Sequence, residues 1–120
     1  MKNKVAIVGG FGFLGSRLSS RLNKNNINHT IYDISINEDT EHMKFLDVED
    51  SNSLNKLANS DLIINLAAVH RDDIQPISRY DDVNVKGAEN ICNAARKFDI
   101  KKIIFTSSVA IYGFAPANTM

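Results

Sequence analysis

The chain has 120 residues, enough for one domain with a single self-supporting core and no more. Its 43% apolar and 23% charged residues are ordinary for a globular protein and exclude a disordered, collagen-like or coiled-coil chain. Fourteen Lys and Arg balance fourteen Asp and Glu, so no net charge draws the chain to nucleic acid or to an anionic membrane, and no apolar run approaches the ~20 residues of a membrane span.

The run from Met1 to Gly9 is apolar only briefly and ends in glycine with no small-residue cleavage site, which reads as a strand and not as a signal peptide. Apolar or β-branched runs at 5–8, 30–32, 43–46, 62–67 and 102–106 predict five strands. The first, fourth and fifth are nearly continuous, the pattern of strands covered on both faces of a parallel sheet. Leu14, Leu18 and Leu22, four residues apart, predict a helix after the first strand. The connection that follows, rich in asparagine over 23–29, is the least defined. Leu54 and Leu57 mark a short helix with Asp50 or Ser51 as its N-cap. The longest helix is predicted from about 78 to 98, with Val83, Ala88, Ile91, Cys92 and Ala95 on its apolar stripe. Strand and helix thus alternate, as in a parallel α/β sheet with right-handed crossovers.

Two local patterns carry chemistry. Gly9, Gly12 and Gly15 fall between the first strand and the first helix, in the segment Gly9-Gly10-Phe11-Gly12-Phe13-Leu14-Gly15. Such a loop binds a dinucleotide: the first glycine permits a tight turn, the second lets a pyrophosphate approach the backbone, and the third lets the helix pack close to the sheet. A glycine-rich turn that binds nothing is the bland alternative. Asp33 ends the second strand, 24 positions after Gly9, near the spacing at which an acid meets the adenosine ribose hydroxyls. Ile34, Ser35 and Ile36 follow, with no Arg or Lys for a ribose phosphate, so NAD is favoured over NADP. The alternative for Asp33 is a solvated strand-end carboxylate.

Together with further motifs, this chain resembles the extended short-chain dehydrogenase/reductase family of sugar-nucleotide epimerases and dehydratases. The glycine spacing is that family's, although Val8 stands where Thr is commoner. Asp47-Val48-Glu49-Asp50 is similar to its Asp-x-x-Asp turn, Asn65-Leu66-Ala67-Ala68 to the turn lining its cofactor, and Asn84-Val85-Lys86-Gly87 to its Asn-x-x-Gly. The segment Ser107-Ser108-Val109-Ala110-Ile111-Tyr112-Gly113 is similar to its Ser-Ser-x-x-x-Tyr-Gly.

The resemblance implies a doubly wound Rossmann-type sheet of order 3-2-1-4-5, with NAD across the carboxyl ends of strands one and four. It implies that Gly9, Phe11, Gly12, Phe13, Leu14 and Gly15 hold the pyrophosphate, Asp33 the ribose, and Asp47 and Val48 the adenine. Leu66, Ala67 and Ala68 would flank the cofactor, Asn84 would belong to the same site, and Ser108 would be the catalytic hydroxyl facing a nucleotide-sugar substrate. A capping serine is the alternative at Ser108. His70 falls where some relatives place a Lys near the nicotinamide ribose, or is incidental. Cys92 reads as core packing, and it has no partner for an internal disulfide, as expected in the cytoplasm. Asp72-Asp73 and Asp81-Asp82 lack further ligands at metal-binding spacing and read as solvated charges; no metal is expected.

No Tyr-x-x-x-Lys pair, the family's catalytic couple, occurs in these residues. The expectation is therefore the N-terminal NAD-binding portion of a longer enzyme, inactive alone and prone to self-association or homodimer formation. Two other readings share this half: an NAD(P)-dependent carbonyl reductase, and a non-catalytic module sensing nicotinamide nucleotides.

Overall fold

The computed structural model describes residues 4–67 and 85–105. The expectations placed on Ala68, His70, Asn84, Ser108, the paired aspartates and the start of the long helix lie outside the described residues. Strand β1 (Val5–Val8) leads through helix α1 (Phe13–Lys24) to β2 (His29–Asp33) and β3 (Met43–Phe45). A short 3-10 helix, Ser53–Leu57, precedes β4 (Leu62–Asn65), and α2 (Gly87–Lys97) precedes β5 (Lys102–Phe105). All pairings are parallel and the order is β3-β2-β1-β4-β5, as the resemblance implies.

One face of the sheet carries the main core. Ala6, Val8, Tyr32 and Ile63 meet Leu54 and Leu57 of the 3-10 helix and Ile91, Ala94 and Ala95 of α2. Period-two alternation sends Val5, Ile7 and His29 to the other face, where α1 lies. There His29 ties helix to strand. Its Nδ1–H donates to the Ile27 carbonyl at 3.0 Å, so its Nε2 accepts from the Ser19 hydroxyl at 2.7 Å. The asparagine-rich connection closes α1 with Asn26 in the left-handed region at φ 56°, a conformation asparagine tolerates.

Three expectations change. The 3-10 helix starts after Asn52, not Asp50 or Ser51, and no side chain caps it, because the Asp50 carboxylate is turned to the Asn52 N–H instead. β5 is not covered on both faces: Lys102, Ile104 and Phe105 are exposed, since no described helix packs over them. Cys92 is only half-buried; with Ala88, Arg96 and Phe105 it lines an open groove beside β5 rather than the core. Among the described residues, no helix is long and apolar enough to cross a membrane, and no group of three or more His, Cys, Asp and Glu could hold a metal ion.

Candidate functional site: the glycine loop at the switch point

β1 lies between β2 and β4, so the sheet order reverses at its carboxyl end. Connections leaving neighbouring strands in opposite directions part there and open a crevice. The glycine loop forms one wall. Gly9 turns at φ 78°, where only glycine is at ease, and its N–H donates to the Tyr32 carbonyl at 2.6 Å. A Cβ on Gly9 would stand 2.6 Å from the Ala67 nitrogen, so the loop and the Leu66–Ala67 segment touch across the crevice.

The other loop glycines divide by cause. A Cβ on Gly10 would press on Ile7, and one on Gly15 would collide with the Gly10 backbone, so these two serve packing. Gly12 is different. Its backbone is extended at φ −88°, and a Cβ there would meet nothing within 4 Å. Neither conformation nor packing within the protein requires glycine at position 12; what it preserves is open space over the start of α1.

That space faces unpaired donors. Helix α1 has no side-chain N-cap and no acid in its first turn, and the first main-chain bond into it runs from Ser16 N–H to the Gly12 carbonyl at 2.9 Å. The N–H groups ahead of Ser16 have no carbonyl four residues back to accept them, and the helix dipole makes this end positive. Ser16 Oγ donates to the same carbonyl at 2.8 Å, fixing the turn. The Arg17 guanidinium lies 4.6 Å from the centre of the Phe13 ring, adding a cation one turn in. Phe11, Phe13 and Leu14 are exposed around this opening, at 52%, 76% and 53%. The loop fits a phosphate group.

Asp33 ends β2 beside it. Its Oδ2 accepts from the Phe11 N–H at 3.1 Å, which withdraws that donor from an incoming anion and links the loop to β2. Its Oδ1 accepts from both the N–H and the hydroxyl of Ser35, at 3.0 and 2.8 Å. Just past β3, the neighbour of β2, Asp47 Oδ1 accepts from Glu49 N–H at 3.0 Å and Asp47 N–H donates to Ser53 Oγ at 3.0 Å. The Val48 side chain is buried in the core, and its carbonyl accepts from Asn90 Nδ2 at 2.8 Å. A ligand contact at Val48 therefore falls to its main-chain N–H, not its side chain. Across the crevice, Leu66 N–H donates to the Val8 carbonyl at 2.7 Å, and the buried Asn65 carboxamide accepts from Ala67 N–H at 3.0 Å.

The structure thus gathers Gly9, Phe11, Gly12, Phe13, Leu14, Gly15, Asp33, Leu66 and Ala67 at one end of the sheet, with Asp47 and Val48 at the end of β3. Sequence reasoning missed the supporting polar groups Ser35, Ser16 and Asn90. Ser35 follows Asp33 by two positions, a spacing that itself signals a side-chain turn; Asn90 has no local signal, because its partner is 42 residues away.

A parallel sheet of this order, with a glycine loop opening its first helix at the switch point, defines a Rossmann-type α/β protein. The chain belongs to the NAD dependent epimerase/dehydratase family, whose model matches residues 5–119. It is 40% identical, over 98% of its length and 36% of the relative's, to the N-acetyl-alpha-D-glucosaminyl-diphospho-ditrans,octacis-undecaprenol 4-epimerase of Escherichia coli O157:H7. It is 31% identical to a UDP-N-acetyl-alpha-D-glucosaminuronate decarboxylase of Bacillus cytotoxicus, over 94% of this chain and 39% of that one. The solved UDP-glucose 4-epimerase of Brucella ovis in complex with NAD superposes with a TM-score of 0.78 at 27% identity, covering 95% of this chain and 38% of that one. The chain therefore spans between a third and two-fifths of the length of these relatives.

Proposed function

We propose that this chain is the NAD-binding part of an enzyme that transiently oxidises a hydroxyl of a nucleotide-linked sugar, leading to epimerisation or dehydration. The single observation that carries the reading is Gly12, a glycine with no conformational or packing reason inside the protein, set over unpaired helix N–H groups. In this reading the N–H groups of Gly12, Phe13 and Leu14 take the pyrophosphate and Asp33 the adenosine ribose. Asp47 and the Val48 main chain take the adenine, and Leu66, Ala67 and Ala68 line the cofactor toward its nicotinamide end. When bound, NAD supplies the hydride acceptor. His70 and Asn84 belong to the same site, and Ser108 hydrogen-bonds the reacting sugar oxygen.

The absence of a basic residue at 34–36 leaves no counter-charge for a ribose phosphate, so NAD binds more tightly than NADP. A serine hydroxyl is a poor base near neutrality, and these residues hold no Tyr-x-x-x-Lys pair. Turnover therefore needs groups outside this sequence. The relatives named for epimerisation and decarboxylation of nucleotide- or diphosphate-linked sugars support that substrate class. The exposed Ile104 and Phe105 of β5 support self-association as a homodimer, which sedimentation of the purified protein tests; the single cysteine, Cys92, is in keeping with the cytoplasm.

Calorimetric titration with NAD, NADP and ADP-ribose tests the cofactor assignment. ADP-ribose should bind nearly as well as NAD, and NADP less well. Gly12→Val should abolish binding while circular dichroism remains that of the unaltered protein. Unchanged NAD affinity in Gly12→Val would reduce the loop to a turn and end this reading.

A further inference from the structure

The Asp33 carboxylate has fewer free lone pairs than its place in the site suggests. A carboxylate accepts about four hydrogen bonds. Three positions are filled by main-chain and side-chain donors of the protein: Phe11 N–H on Oδ2, and Ser35 N–H and Ser35 O–H on Oδ1. The turn that presents Ser35 is anchored, because Ile36 is buried and its N–H donates to the Asp33 carbonyl at 3.4 Å. One acceptor position remains, on Oδ2. A ribose cis-diol brings two hydroxyl donors. A further acceptor stands beside it: Ser35 Oγ, 2.8 Å from Oδ1 and exposed, has its proton committed to the carboxylate and its own lone pairs open. A hydroxyl that donates to a carboxylate is polarised and becomes a stronger acceptor.

We propose that Ser35 is a binding residue for the adenosine ribose, with Asp33 Oδ2 accepting one hydroxyl of the cis-diol and Ser35 Oγ accepting the other. The proposal rests on the dinucleotide reading above and extends it to a residue outside the motifs. It also gives the acid–x–serine pair a chemical preference: two adjacent acceptors favour a free diol and disfavour an anionic substituent on either oxygen.

Ser35→Ala removes the hydroxyl but keeps the Ser35 main-chain bond to Asp33, so the carboxylate stays held by two N–H donors. The purified protein and this variant are titrated calorimetrically with ADP-ribose and with two analogues lacking the 2′ or the 3′ hydroxyl of the adenosine ribose. Ser35→Ala should weaken ADP-ribose about fivefold, the worth of one neutral hydrogen bond. With one of the two deoxy analogues the variant and the unaltered protein should agree within about twofold, because the partner of the missing hydroxyl is already gone. Ser35→Thr, which keeps the hydroxyl, should restore most of the affinity. An equal loss with all three ligands would make Ser35 only a support for Asp33 and overturn the proposal. Unchanged or tighter binding of ADP-ribose by Ser35→Ala would overturn it too. Failure of the unaltered protein to bind ADP-ribose would overturn the dinucleotide reading itself, and the proposal with it.

Discussion

β1 and β5 are both short, β-branched strands of one sheet, yet they live in different surroundings. Every residue of β1 is buried, flanked by β2 and β4, with Ala6 and Val8 in the main core. In β5 only Ile103 reaches the core, while Ile104 and Phe105 are 49% and 45% exposed. The same apolar run thus signals a strand in both places but says nothing about what lies over it. Coverage is a property of neighbours. The central strands also carry the site: the loops that converge at the carboxyl ends of β1, β2 and β4 are held by buried backbone, whereas β5 is an edge among the described residues.

The largest expected effect separates centre from edge directly. Ile63→Ala in β4 deletes a side chain with no exposure and should cost about 2–5 kcal/mol, read from urea unfolding. Ile104→Ala, half exposed in β5, should cost less than about 1.5 kcal/mol. Equal losses would break the comparison and show β5 covered in solution. Next comes the site end of the central strands. Asp33→Ala should weaken NAD binding by about 1.5–3 kcal/mol, the worth of hydrogen bonds to a charged group. Lys102→Ala, at the opposite end of the β5 edge, should leave that affinity unchanged. Calorimetry on both variants decides whether the site belongs to the centre.

Within the glycine loop the contrast narrows to single positions. Gly15→Ala drives a Cβ into the Gly10 backbone and should destabilise the fold by about 1–3 kcal/mol. Gly12→Ala should change the unfolding free energy by less than about 0.5 kcal/mol, since its Cβ meets open space. A single buried hydroxyl gives the other modest effect: Tyr32 is fully buried in β2, with its hydroxyl donating to the Lys56 carbonyl at 3.3 Å. Burial pushes its phenol above the ordinary value. The unfolded chain then loses the proton first, so this contribution is whole below pH ~10 and is lost as pH rises past that value. Tyr32→Phe should cost about 0.5–1.5 kcal/mol at neutrality and show a shallower loss of stability above pH ~10.

Local sequence determined a good deal of this protein. The apolar or β-branched runs mark all five strands, and in β1 the run is continuous because a parallel strand buried on both faces must be apolar along its length; β1 at 5–8 falls where it is read. The glycines at 9, 12 and 15 reveal the loop because backbone conformation and close approach leave few residues that fit, and Asp33 ends its strand as its spacing implies. Three matters were decided only by the tertiary structure. Which glycine serves which purpose depends on atoms brought from elsewhere, such as Ala67 against Gly9. Val48 turns into the core because α2 passes over it, with Gly87 at the point of contact and Asn90 bonded to its carbonyl. Asp33 meets Phe11, 22 residues earlier, because β1 and β2 pair in register and end side by side. Such pairings join residues distant in the chain, and no local pattern encodes them, because the free energy that selects them comes from burial and hydrogen bonding across the whole sheet.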